Sequence, residues 1–80
     1  MLPIQNLLNK IKWDKRENPD DYFIFYYDRI LKTLIKISYN KIKMIEGSFM
    51  VLDNEEESNV PLHRIKKVMK NDRIVWERKH

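Results

Sequence analysis

Six consecutive apolar residues, Tyr22-Phe23-Ile24-Phe25-Tyr26-Tyr27, form the longest uninterrupted apolar run in the chain. Aromatic and β-branched side chains lose rotamer freedom in a helix but pack well on a pleated surface. The run therefore reads as a strand largely covered on both faces. It is far shorter than the roughly 20 residues a membrane-crossing helix needs, so no membrane association is expected. A strand like this needs a core around it, and 80 residues supply material for one domain, expected to span 1–80. The chain has no cysteine, which excludes a disulfide framework and any cysteine-ligated zinc. Pro3, Gln5, Asn6 and Asn9 break up the first apolar stretch, so no secretory leader is expected and the expected address is cytoplasmic.

The flanking segments suggest how that core is built. Ile4, Leu7, Leu8 and Ile11 recur at i, i+3, i+4 and i+7, one apolar stripe of an amphipathic helix that ends near Lys12. Pro3 suits the first helical position, and Trp13 is expected to lie against the core. Asn18-Pro19 marks a turn in a polar connector. After the aromatic run, Leu34–Ile37 is apolar with its lysine outward, Lys43–Ile45 reads as the start of a strand, and strands are expected at Phe49–Leu52, Lys66–Met69 and Arg73–Trp76. Ser38–Lys41 reads as one helical turn, Asp53–Asn59 as an exposed acidic hairpin loop, and Pro61–Ile65 as another turn. Gly47, the chain's one glycine, and Asn71 at the last hairpin tip suit left-handed backbone. The expected class is α+β: an N-terminal amphipathic helix plus a curled antiparallel sheet or small barrel of about five strands.

A faint echo at an offset of 23 aligns Ile37–Ile45 with Val60–Val68, matching apolar positions 37/60, 39/62, 42/65 and 45/68. A repeated corner of strand, helical turn and strand accounts for it without a gene duplication.

Charge is unevenly spread. The formal net charge is +4, but residues 22–45 and 61–80 are basic while residues 46–60 hold five acidic residues and no basic one. Two basic blocks around an acidic loop fit either a well-solvated surface or a cationic face for a polyanion.

The residues offer little for catalysis. His80 is terminal, and His63 stands alone between basic-rich strands. Thr33, Ser38, Ser48 and Ser58 have no catalytic context, so a nucleophile with its base is not expected. No metal-ligand spacing surrounds His63, and one glycine cannot build a phosphate loop, so neither metal nor cofactor is expected. Binding is better supplied. Arg29 and Arg64 are the residue type that grips phosphate, each next to a group that can orient a site, Asp28 and His63. Each also has an ordinary structural reading: Asp28 as an Asx-turn at a strand end, His63 bonded to a carbonyl. Most aromatics are needed in the core with Phe49 and Trp13, leaving Tyr27 as the ring best placed to face a ligand. Lys66, Lys67 and Lys70 read as solvated strand residues whose phosphate contacts would be nonspecific.

Taken in order, Lys12-Trp13-Asp14, Asn18-Pro19, Tyr27-Asp28-Arg29, Val60-Pro61-Leu62-His63-Arg64-Ile65 and Trp76 resemble a small archaeal family, the RNA cyclic group end recognition domain. The resemblance runs over nearly the whole chain. It implies non-catalytic recognition of RNA ends carrying a cyclic phosphate, in RNA repair or processing, with related eukaryotic domains fused to RNA-processing modules. It directs attention to Asp28, Arg29, His63 and Arg64, and Trp13 and Trp76 match recurrent tryptophans assigned to the core; Tyr27 and Lys66 join the candidate RNA contacts from the residues alone. Lys70-Asn71-Asp72 departs from the glycine expected in the last hairpin of many relatives. The competing expectations are an adaptor that contacts an RNA-processing protein through Glu55-Glu56-Glu57, and a general basic nucleic-acid binder.

Overall fold

The computed structural model describes residues 3–53 and 58–78. Helix α1 (Ile4–Trp13) comes first, followed by a 3₁₀ turn at Pro19–Asp21. Seven strands follow among the described residues: β1 (Tyr22–Asp28), β2 (Thr33–Ser38), β3 (Ile42–Glu46), β4 (Phe49–Leu52), β5 (Ser58–Pro61), β6 (Ile65–Lys70) and β7 (Arg73–Glu77). They form two antiparallel sheets, a four-stranded one ordered β2-β1-β6-β7 and a three-stranded one ordered β3-β4-β5. The class is α+β as expected, but the expectation of about five strands in one curled sheet or barrel is corrected: the described residues form two sheets and no closed barrel.

Two 3₁₀ corners make the difference. Tyr39–Lys41 carries the chain from β2 into β3, and Leu62–Arg64 carries it from β5 into β6, each step a change of sheet. The two corners lie 23 residues apart and account for the sequence echo. Of the strands beyond that count, β5 falls partly in the segment expected to be a loop. Ser58, Asn59 and Pro61 are poor strand formers, yet Val60 is buried and the segment completes the ladder of β4. Pro61 is tolerated because β5 is an edge strand, where a missing N–H breaks no ladder bond on its open side.

The core lies between the sheets and under α1. Leu8, Ile11, Ile24, Met50, Ile65 and Val68 are at most 1% exposed, so helix and both sheets contribute to one interior. The Tyr39 hydroxyl donates to the Leu8 carbonyl at 2.9 Å, joining the first corner to the helix. Burying such aliphatic side chains stabilises the fold by about 1.5–3 kcal/mol each, so one well-filled interior suffices for a small domain. No helix among the described residues is long and apolar enough to cross a membrane.

Two aromatic assignments are corrected. Trp13 is 73% exposed, with the Lys12 ammonium 5.1 Å from its ring. At about 100° per residue, position 13 falls about 180° from the centre of the 4/7/8/11 stripe, so the helix turns this ring to solvent. Phe49 is 43% exposed at the start of β4, where Met50, Val51 and Leu52 fill the interior instead. Trp76 is buried as expected, and Gly47 and Asn71 have φ of 61° and 54°. Lys32 also has φ 54°, closing the turn between β1 and β2.

The aromatic strand is covered on one face. Tyr22 and Ile24 are buried and Tyr26 packs against the core, whereas Phe23 and Phe25 are half-buried and Tyr27 is exposed. The expectation of cover on both faces is therefore corrected, because α1 and the second sheet pack on the inner face only.

Candidate functional site

The C-terminal end of β1 and the second corner meet because of sheet register. β1 pairs with β6 so that Tyr26 stands opposite Ile65, the residue that follows the Leu62–Arg64 corner. Arg64 is thereby brought beside the stretch Tyr27-Asp28-Arg29, although 35 residues separate the two arginines. The two segments, with β5, line an open groove of about 530 Å³. Tyr27, Asp28, Arg29 and Arg64 all line it, together with Asn59 and Pro61.

Local chemistry sets each side chain. Asp28 Oδ1 accepts the amides of Ile30 at 2.8 Å and Leu31 at 3.0 Å, an Asx-type turn that ends β1 and starts the return to β2. Asp28 Oδ1 is thus engaged with backbone, the Asx-turn at a strand end that is the ordinary structural reading of this residue. That turn carries Arg29. Neither the Arg29 nor the Arg64 side chain forms an ion pair or hydrogen bond with another described residue. Two guanidiniums lining one groove without a carboxylate partner among the described residues present five N–H donors each to an anion. The Tyr26 hydroxyl is held above its ordinary range, first by burial and then by the Asp28 carboxylate, so this ring enters the groove wall as a neutral phenol.

Arg78 supports the corner from behind. Its Nε donates to the Ile65 carbonyl at 3.0 Å and its Nη2 to the Leu62 carbonyl at 3.3 Å, while its guanidinium lies 5.1 Å from the Trp76 ring. The sequence contains no local signal for this role, because the partners are carbonyls 13 and 16 residues away.

The six residues singled out from sequence do not converge as one set. Tyr27, Asp28, Arg29 and Arg64 share the groove. His63 is exposed on the same corner but is not part of the groove's lining. Lys66 sits where β6 slips register against β1, and lines a second concavity of about 290 Å³ with Leu34, Lys67, Glu77 and Arg78. Asn59 and Pro61, which sequence reading placed in loop and turn, join the groove because β5 carries them there. The acidic residues Glu55–Glu57 and His80 lie outside the described residues. Among the described residues, no three His, Asp or Glu side chains gather as a metal site.

The family described as the MJ1316 RNA cyclic group end recognition domain matches residues 1–78. The chain belongs to this family. Its relatives include a UPF0248 protein of Pyrococcus furiosus, 41% identical over 76 residues, covering 92% of this chain and 86% of the relative. A UPF0248 protein of Pyrococcus horikoshii is 38% identical over 76 residues, covering 92% and 87%. UPF0248 proteins of Saccharolobus islandicus are 30% identical over 80 residues, covering 96% of this chain and their whole length. No solved structure matches the chain. The family's description is one of recognition.

Proposed function

We propose that this domain is a non-catalytic RNA-binding module that takes RNA ends closed as a 2′,3′-cyclic phosphate, and that the Arg29–Arg64 groove is where the end sits. The observation that carries the reading is the meeting of two guanidiniums, unpaired with any described side chain, in one groove of a protein whose family is described by RNA cyclic group ends. A cyclic phosphate is a compact monoanion with two non-bridging oxygens. Arg29 and Arg64 supply charge-assisted donors to those oxygens from two sides. Asp28 has one carboxylate oxygen beyond its turn bonds, and that oxygen accepts from a ribose hydroxyl, the group that distinguishes RNA from DNA. Tyr27 supplies a face for the terminal base. His63, beside Arg64, and Lys66 lie further along the RNA than the end itself. Such a module suits RNA repair or processing, where a cyclic end must be held for another protein.

The test is a titration with a 2′,3′-cyclic mononucleotide followed by amide chemical shifts. Changes centred on Tyr27–Ile30 and Asn59–Arg64 are expected. Changes centred on α1 or on β3 and β4, with none at the groove, would overturn the assignment.

A further inference from the structure

The four-stranded sheet has a second face that the core does not use. Along β1, Phe23, Phe25 and Tyr27 project away from the interior, opposite to Tyr22, Ile24 and Tyr26. Cross-strand register places Lys36 of β2 and Lys67 of β6 on either side of Phe25. The Lys36 ammonium lies 4.7 Å from the Phe23 ring and 5.9 Å from the Phe25 ring, and the Lys67 ammonium 4.5 Å from Phe25. The face is open at its margins: Tyr27 is 37% exposed, Leu34 47% and Ile74 52%. The central strand thus presents a row of three rings, with a cation on each flank.

We propose that this face is a stacking platform for the single-stranded RNA that leads into the groove. Bases lie on Phe23, Phe25 and Tyr27, and the backbone phosphates lie on Lys36 and Lys67. The direction of the strand rests on reading the Arg29–Arg64 groove as the RNA-end site; the platform itself rests on the rings and lysines. Tyr27 belongs to both surfaces, since it ends the row of rings and lines the groove.

Geometry favours a single strand. Side chains two apart on a strand are separated by about 6.6 Å, given a rise of about 3.3 Å per residue. Bases stacked in a helix are about 3.4 Å apart, so the row fits splayed bases one to a ring and misfits a duplex. Charge favours a nucleic acid over a protein with an apolar patch, because such a patch would bury both ammoniums without partners. In the free protein these ammoniums rest on the rings. An exposed cation–π contact is worth about two- to fivefold in affinity, whereas a base stacked on an aromatic ring is worth about five- to a hundredfold. A base therefore displaces the ammonium, and the flexible lysine stem lets it swing to the adjacent phosphate.

The test uses fluorescence anisotropy at fixed moderate salt with labelled octanucleotides ending in 2′,3′-cyclic phosphate. One octamer carries all its bases; in the other the two nucleotides preceding the terminal one, those placed over Phe25 and Phe23, are abasic. The full octamer is expected to bind at least about tenfold more tightly than the abasic one. Phe25→Leu, which keeps an apolar side chain of similar bulk, is expected to lower affinity about fivefold or more for cyclic and hydroxyl ends alike, leaving their ratio unchanged. Lys36→Gln with Lys67→Gln is expected to reduce the slope of log affinity against log salt by about 1.4. Equal affinity for the full and abasic octamers in the wild-type protein would overturn the platform. Base-dependent binding without any preference for the cyclic end would uphold the platform while overturning the groove assignment.

Discussion

Asp28 Oδ1 accepts the Ile30 amide at 2.8 Å, so the carboxylate spans Arg29 and holds the turn that carries it. The carboxylate ends β1 and turns the chain, so the arginine between the two bonded residues is presented at the groove by backbone geometry. Replacing the acceptor separates this role from charge. Asp28→Asn keeps an oxygen acceptor and is expected to hold stability within about 0.5 kcal/mol. Asp28→Ala leaves two amides without their acceptor and is expected to cost about 1 kcal/mol, a drop of roughly 4–8 °C in Tm. Thermal unfolding of the two variants checks the difference.

Arg78 is expected to matter beyond its position near the chain end. Its guanidinium bonds two carbonyls of the second corner, and Arg78→Ala removes both bonds and the packing on Trp76. A loss of about 1–3 kcal/mol is expected in urea unfolding, together with weakened binding at the groove. Arg78→Lys should recover only part of the loss, because an ammonium cannot span both carbonyls in the fork geometry of arginine.

Acid stability should follow a small cluster where the connector after α1 meets the sheet. Glu17 accepts from the Tyr22 hydroxyl and from Lys70 Nζ at 3.2 Å, and these bonds hold its carboxyl below the ordinary glutamate range. A carboxylate with a lowered folded-state pKa adds stability above its unfolded value of about 4.3, and that contribution disappears as pH falls through the lower folded value. Burial and the Glu17 bond push the Tyr22 phenol up, so its contribution is intact below about pH 10 and is lost at higher pH. Urea midpoints measured across pH should form a plateau bounded by these two titrations. Glu17→Gln is expected to lower the plateau and flatten its acid edge.

Gly47 provides a test of backbone alone. Its φ is 61°, and a Cβ placed there would meet nothing within 4 Å. Gly47→Ala is therefore expected to cost about 1 kcal/mol through conformation without any steric clash, and unfolding measurements should show it.

Much of this architecture was legible in sequence because its signals are local. The helix stripe at Ile4, Leu7, Leu8 and Ile11, the two left-handed positions Gly47 and Asn71, and the paired corners all follow from short-range patterns. The missed features depend on partners distant in the chain. Ser58–Pro61 becomes a strand because β4 offers it a ladder, against its own composition. Lys32 takes a φ of 54° in the turn between β1 and β2, where no glycine or asparagine marks it in the sequence. The site was half legible for the same reason. Arg29 and Arg64 are recognisable as candidate phosphate contacts, but their meeting comes from the Tyr26–Ile65 register, and His63 and Lys66 stay out of the groove.

The most direct measurement compares one RNA strand with two endings, 2′,3′-cyclic phosphate and hydroxyl, by fluorescence anisotropy at fixed moderate salt. Charge-assisted bonds from Arg29 and Arg64 to the end should make the cyclic form bind about tenfold more tightly or better, and Arg64→Ala should bring the ratio close to one. Equal affinity of the wild-type protein for the two endings would contradict the account.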